Sequence, residues 1–112
     1  MEILNAAHLL AALGHESRLA IFRKLVEAGT EGISAGTLSE QLNLPAATLS
    51  FHLNQLQHVG LIQGHRLGRF IFYSATFTLM DTLLTFLTRN CCQNQPCLPQ
   101  TVSILKASEE QS

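Results

Sequence analysis

The chain has 112 residues, of which 46% are hydrophobic and 13% are charged, and its formal net charge is −1. This length suits one domain with a usable core, and the apolar content excludes an intrinsically disordered chain. No apolar run approaches the roughly 18 residues of a membrane helix, and the first ten residues lack the basic start of a secretory signal, so we expect a cytoplasmic protein without membrane contact.

The first third of the chain predicts two helices. Residues 2–13 are rich in helix formers and are followed by Gly14, and residues 16–28 are followed by Gly29. The second helix carries an apolar stripe at helical spacing, formed by Leu19, Phe22, Leu25 and Val26. We expect this stripe to face the core.

Two shorter helices follow, joined by a tight Asn-Leu-Pro turn. Ser34 suits the N-cap of a helix over residues 35–42, and Asn43 is a plausible stop. Pro45 suits the first turn of the next helix, which ends at Gly60. The apolar stripe of that helix is formed by Leu49, Leu53, Leu56 and Val59. Two short helices on either side of a tight turn are the outline of a helix-turn-helix.

A small β element and a last helix complete the pattern. Two β-prone runs around a glycine-containing centre predict a hairpin over residues 61–74, tipped by His65, Arg66 and Arg69. The last helix spans residues 77–89, and its stripe is formed by Leu79, Leu83, Phe86 and Leu87. The predicted fold class is therefore mainly α with a small β-hairpin, in the order of a winged helix-turn-helix.

Three stretches of the chain resemble a known family of proteins: GHESRLAIFRKL, LSEQLNLPAATLSFHLNQLQHVGLI and GRFIFYSA. In these the chain resembles the arsenic-repressor (ArsR/SmtB) family of bacterial metal-sensing repressors, over roughly residues 5–90. The resemblance implies a DNA-binding transcriptional repressor that needs no cofactor to bind DNA. It also implies a homodimer built from the first and last helices. These helices are short and apolar, and they could not bury all their faces within one small protomer.

The second helix of the helix-turn-helix is the candidate DNA reader. Such a helix places its N-terminal residues against base edges in the major groove, where short polar side chains can bond bases and Ala can touch a thymine methyl. The predicted DNA-contacting residues are Ala46, Ala47, Thr48, Ser50, His52, Gln55, Arg66 and Arg69. His52 and Gln55 would reach further than the others. The two arginines would clamp phosphates or enter a minor groove. The alternatives are a solvated helix face and a structural histidine.

All thiols of the chain follow the last helix within seven positions, as Cys91, Cys92 and Cys97. An odd number of cysteines in an intracellular setting argues against a disulfide scaffold. Thiolates select soft ions, and Pro96 would let the chain fold back so that three sulfurs meet at one ion. Tetrahedral Zn²⁺ requires four ligands, and no histidine lies near the three cysteines in sequence to serve as the fourth.

The resemblance narrows the choice of ion. The family's zinc sensors typically carry Asp and His pairs on the last helix, which here has Asp81 and no histidine. The commonest arsenic site has cysteines in the first helix of the helix-turn-helix, here AGTLSEQL. The chain instead resembles the subset with thiols after the last helix, which implies that trivalent arsenic or antimony binds the three cysteines and releases the operator.

The three thiols also allow interpretations other than arsenic or antimony binding. Bismuth(III), cadmium(II) and lead(II) share the preference for sulfur, and a thiol-redox or reactive-sulfur switch would form a disulfide to Cys97. Surface cysteines without a function are the plainest alternative. An enzyme is not expected, because the chain has no C-x-x-C pair, no phosphate-binding glycine loop and no acid–base set. We divide the chain into a DNA-binding and dimerisation domain, residues 1–90, and a thiol-bearing tail, residues 91–112.

Overall fold

The computed structural model describes residues 1–90 and Gln93, and every structural statement below concerns that part of the chain. The helices are α1 (Ile3–Leu13), α2 (Glu16–Ala28), α3 (Ala35–Leu42), α4 (Ala46–His58) and α5 (Phe77–Thr88). The strands are β1 (Ile33–Ser34), β2 (Ile62–Leu67) and β3 (Phe70–Ala75), and a 3₁₀ turn covers Gly29–Glu31. The mainly helical fold class with a small β element is confirmed. None of the described helices is long and apolar enough to cross a membrane.

The helix boundaries are set by local hydrogen bonds. α2 begins after His15, whose Nδ1 accepts a hydrogen bond from the Ser17 N–H at 3.1 Å. α3 begins after Ser34, whose hydroxyl accepts from the Thr37 N–H at 3.2 Å. It ends at Asn43, which adopts the left-handed conformation with φ 53°, a conformation that asparagine tolerates better than most residues. The predicted cap and stop of α3 are therefore confirmed.

One apolar core holds the helices together. Its fully buried large side chains are Ile21, Leu25, Leu38, Leu49, Leu53, Leu56, Leu61 and Ile62. Three leucines of α4 are among them, as predicted. The predicted face of α2 is wrong at one position, because Leu19 is 48% exposed while Ile21 is fully buried. Each fully buried Leu or Ile contributes about 1.5–3 kcal/mol relative to an exposed one.

The predicted hairpin belongs to a three-stranded antiparallel sheet with the order β1-β3-β2. β2 and β3 pair along their whole length, and β1 lies opposite Phe72 and Tyr73. Gly32, just before β1, has φ 80°, and a Cβ there would collide with the Tyr73 carbonyl oxygen. The close approach of β1 to β3 therefore requires glycine at this position.

The tip of the hairpin is narrower than predicted. Gly68 and Arg69 form a two-residue turn, and Gly68 has φ 63°, which suits the first central position of a type II′ turn. His65 and Arg66 lie within β2 rather than at the tip. Pro45 likewise lies one residue before α4 as its N-cap, with ψ 149°, and not inside the first turn.

The two terminal helices bury only part of their apolar surface. α1 buries Ala6, Leu9 and Ala12 but leaves Ile3, Leu4 and Leu10 exposed. In the predicted stripe of α5, Leu83 is buried and Leu87 is 51% exposed, and Leu84 beside it is 53% exposed. The domain boundary at residue 90 remains a prediction from the sequence, because residues 91–112, apart from Gln93, lie outside the described part of the chain.

Candidate nucleic-acid interface

The N-terminal half of α4 forms an exposed face opposite its buried leucines. The predicted DNA-contacting residues that are exposed on α4 are Ala46, Ala47, Thr48, Ser50 and Gln55. No side chain caps the start of this helix, so its first backbone N–H groups are available to an anion such as a phosphate. The face therefore offers small and hydroxyl side chains together with backbone donors, which fits close approach to DNA.

The turn before α4 is fixed by hydrogen bonds to α3. The Leu44 N–H donates to the Ser39 carbonyl oxygen at 3.1 Å, and the Ser39 hydroxyl donates to the Leu44 carbonyl oxygen at 2.5 Å. This reciprocal pair sets the angle between the two helices. The exposed face of α4 is thereby held in one orientation relative to the rest of the domain.

His52 departs from the prediction that its side chain reaches DNA. It is only 5% exposed, because it lies on the same side of α4 as Leu49 and Leu56, three residues after one and four before the other. Its ring centroid is 4.7 Å from that of His15. Its Nδ1 lies 3.5 Å from the Arg18 guanidinium. His52 thus faces the body of the domain and not the exposed side of α4.

The surroundings of His52 favour its neutral form. Burial lowers the pKa of His52 below its usual value of 6.5, and the neighbouring His15 and Arg18 lower it further. A neutral ring whose proton sits on Nε2 leaves Nδ1 free to accept a hydrogen bond from Arg18. The geometry and the electrostatics at this position therefore agree.

Arg18 connects three helices, a role that sequence reasoning missed. Its Nε donates to the Ala12 carbonyl oxygen at 2.6 Å, near the end of α1, while its terminal nitrogen reaches His52 on α4. One side chain of α2 therefore ties the first helix to the candidate DNA reader. A single arginine has no periodic pattern, so no signal in the sequence marks this role.

The wing formed by β2 and β3 carries further basic side chains. Arg66 on β2 and Arg69 in the turn are both exposed. No acidic residue occurs between Glu40 and Asp81, a span that includes all of α4, β2 and β3. In a protein with net charge −1, the segment that forms α4 and the wing therefore has basic side chains and no acidic ones, which suits a polyanionic partner.

The described residues contain no group of three His, Cys, Asp or Glu side chains that could hold a metal ion. Asp81 therefore belongs to no such group within residues 1–90. The predicted ligands Cys91, Cys92 and Cys97 lie outside the described residues, and their prediction rests on the sequence.

Comparison with known proteins identifies relatives of one kind. A family described as "Helix-turn-helix domain" matches residues 13–65. The transcriptional activator HlyU of Vibrio cholerae is 33% identical over 89 residues, which are 80% of this chain and 80% of HlyU. The HTH-type transcriptional regulator YgaV of Escherichia coli is 34% identical over 88 residues, or 79% of this chain and 87% of YgaV.

Solved structures agree with these relatives. An ArsR-like transcriptional regulator from Rhodococcus has a TM-score of 0.69 at 27% identity and covers 97% of this chain and 93% of its own. HlyU from Vibrio cholerae has a TM-score of 0.66 at 32% identity, with 82% and 99% covered, and a second structure of reduced HlyU gives 0.62 at 31% identity, with 80% and 90% covered. The transcriptional repressor BigR from Xylella fastidiosa gives 0.59 at 33% identity, with 77% and 85% covered. The helix-turn-helix, the wing and these relatives together show that the chain belongs to the ArsR/SmtB family of winged helix-turn-helix transcriptional regulators.

Proposed function

We propose that this transcriptional regulator is a homodimeric repressor that leaves its operator DNA when trivalent arsenic or antimony binds Cys91, Cys92 and Cys97. The observation that carries the DNA-binding part is the exposed face of α4 together with the exposed arginines of the wing, in a segment that has no acidic residue. A regulator of this kind acts in the compartment that holds the DNA, which we take to be the cytoplasm. It requires no cofactor for DNA binding.

The proposed contacts divide by chemistry. The residues placed against base edges are Ala46, Ala47, Thr48, Ser50 and Gln55, all exposed on α4. Arg66 and Arg69 bind phosphates or enter a minor groove. His52 has no direct contact in this proposal, because its side chain is buried against His15 and Arg18. It holds α4 in the orientation that the other residues need.

The proposed dimer uses the apolar surface that α1 and α5 leave exposed. Ile3 and Leu4 on α1 and Leu84 and Leu87 on α5 are each more than half exposed. Thr82 and Thr88 return their hydroxyls to the carbonyl oxygens of Thr78 and Leu84 at 2.9 Å, so these threonines need no outside partner. A two-fold dimer would place two α4 helices on successive half-sites of the operator.

The proposed effector reaction exchanges oxygen for sulfur on arsenic. Arsenous acid, As(OH)₃, would lose its three hydroxyl groups as water while the three thiols lose their protons and form As–S bonds. The ion must bind the DNA-free form more tightly than the bound form, since release requires differential affinity. A hundredfold loss of operator affinity corresponds to about 2.7 kcal/mol of coupling.

A thiol-redox switch is the second candidate. It is favoured by the relative HlyU, one solved structure of which is of the reduced protein. Two of the three thiols would then lose two protons and two electrons to an oxidant and form a disulfide, which dithiothreitol would reverse. A metal ion is not needed in this case.

The deciding experiment is operator release under three titrants. A fluorescent duplex, selected by the protein from a random-sequence pool, is bound and then titrated in parallel with arsenite, zinc and diamide. Release by arsenite alone, at one ion per protomer, supports the proposed function, whereas release by diamide alone supports the redox candidate. Ser variants of Cys91, Cys92 and Cys97 should still bind the duplex and should no longer release it. Failure of these variants to bind DNA would contradict the switch.

A further inference from the structure

The tip of the wing carries two large apolar side chains that are exposed to solvent. Phe70 is 63% exposed and Leu67 is 56% exposed. They are direct cross-strand partners on either side of the Gly68–Arg69 turn. Unlike a single scattered apolar side chain, an exposed pair of large apolar side chains is a candidate contact surface.

The same face of the wing continues the apolar surface towards its base. His65 and Phe72 are the next cross-strand pair on that face, and their rings lie stacked with centroids 6.1 Å apart. This stacked pair lies directly below the tip on the same face of the hairpin. In the described part of the chain no element covers Phe70 or Leu67.

The charges around the tip indicate that a polyanion such as DNA would contact the apolar pair. Arg69 lies in the turn between Leu67 and Phe70, and no acidic residue occurs from position 41 to 80. Arg66 lies on the opposite face of the hairpin, in the pair with Ile71. Phe70 and Phe72 line one shallow cavity with Thr37 of α3, so this face of the wing adjoins the first helix of the helix-turn-helix. An exposed apolar pair with an arginine in the turn between its members, on the wing of a helix-turn-helix, matches the side-chain wedges that enter minor grooves.

We infer that Leu67 and Phe70 form a wedge that enters the minor groove beside the half-site bound by α4, partly unstacks one base step and bends the operator. This inference rests on the proposed DNA-binding function. It adds a source of specificity, because pyrimidine–purine steps unstack more readily than others. The wing then distinguishes sequences by their deformability, in addition to the phosphate contacts of Arg66 and Arg69.

The test compares bending with binding. A selected duplex of about 30 base pairs carries a dye pair at its ends for energy transfer and 2-aminopurine at a TA step in the minor-groove region. The parent protein should shorten the end-to-end distance and raise the 2-aminopurine fluorescence. The double variant Leu67→Ser/Phe70→Ser should lose both signals and bind about tenfold more weakly, towards the low end of the cost of removing one aromatic side chain that stacks on a base.

Two comparison variants separate the wedge from other roles. Leu19→Ser removes a comparably exposed leucine, 48% exposed, on α2 and should keep both signals. Arg69→Ala should lower the slope of log affinity against log salt by about 0.9 for each phosphate that the protein no longer neutralises, whereas the double variant should keep that slope. Phe70→Ala alone should lose most of the bend, and thermal unfolding checks that each variant is folded.

Three outcomes would overturn the inference. If the double variant bends the duplex as the parent does, the wedge does not exist even though the proposed function stands. If the double variant has a lower solution mass than the parent and an unchanged bend per bound dimer, the tip contacts a second copy of the chain. If the parent binds no duplex from the pool, the proposed function fails, and the inference fails with it.

Discussion

α4 and α5 carry similar apolar patterns and bury them differently. In α4 the leucines at positions 49, 53 and 56 are all fully buried, whereas in α5 only Leu83 is buried and Leu87 is half exposed. The difference arises from position, because α4 is surrounded by α1, α2, α3 and β2, while α5 is the last helix and lies at the margin of the domain. A stripe at helical spacing therefore shows that a helix needs a partner, and it does not show whether the partner belongs to the same chain.

The largest effect is expected in the core of α4. Leu53→Ala removes a fully buried side chain, and the free energy of unfolding should fall by about 2–5 kcal/mol. Leu87→Ala on α5 should cost less than about 0.5 kcal/mol when unfolding is measured by urea at concentrations where the protein is monomeric. Equal losses at the two positions would contradict the comparison between the helices.

The next largest effect concerns the apolar surface of α5. Leu84→Glu places a charge in the proposed dimer interface, and the dissociation constant of the dimer should rise about a hundredfold or more, as it does when a central interface residue is removed. Sedimentation equilibrium measures this change. If the parent protein is monomeric, dimerisation does not explain the exposed apolar residues of α5.

The control for that experiment is the single variant Thr85→Glu. Thr85 is exposed and directly follows Leu84, so the variant adds the same charge to the same helix without removing an apolar side chain. It should weaken the dimer clearly less than Leu84→Glu does. Similar dissociation constants for the two variants would show that added charge, and not the missing leucine, weakens the dimer.

The two faces of α4 provide the third comparison. Ser50→Glu changes only the exposed face, so the free energy of unfolding should stay within about 0.5 kcal/mol of the parent value. DNA affinity should fall by about tenfold or more, because the serine hydroxyl no longer reaches a base and a carboxylate meets the phosphates. Gln57→Glu adds the same charge near the other end of the same helix, also at an exposed position, and should weaken binding less. Fluorescence anisotropy with the selected duplex measures both variants.

Much of the fold follows from the sequence because its signals are local. Ser34 and Asn43 bound α3 through hydrogen bonds and a backbone conformation that their own side chains determine. β1 could not be predicted, since a two-residue strand has no periodicity and depends on its approach to β3. Leu19 was misplaced because a helical stripe of four residues fixes a face only to within one neighbouring position.

The candidate site was less accessible to sequence reasoning than the fold. The exposed residues of α4 follow from the position of its leucine stripe, and the same spacing places His52 on the buried side. The polarity of histidine suggested an exposed position for His52, but the helical spacing predicts its burial correctly. The contact of Arg18 with the Ala12 carbonyl oxygen and with His52 depends on how three helices pack, which no local pattern contains.

The smallest expected effect is a pH dependence that comes from the buried side of α4. The folded state lowers the pKa of His52 below 6.5, so protonation favours the unfolded chain. The contribution of His52 to stability is therefore complete above about pH 6.5, the unfolded value. It is lost as the pH falls from there through the lower folded pKa. Urea unfolding at a series of pH values should show the parent losing more stability below pH 6.5 than His52→Gln.

The neighbours of His52 determine how that experiment is controlled. The ring of His15 lies against that of His52, and the Arg18 guanidinium lies 3.5 Å from the Nδ1 of His52. His15→Asn keeps a side chain that can cap α2 and removes the second imidazole, so the contribution of His52 can be measured alone. If His52→Gln loses stability on acidification as steeply as the parent in the His15→Asn background, the pH dependence has another source. A difference between them would show that α4, unlike α5, has a titratable group within its buried face.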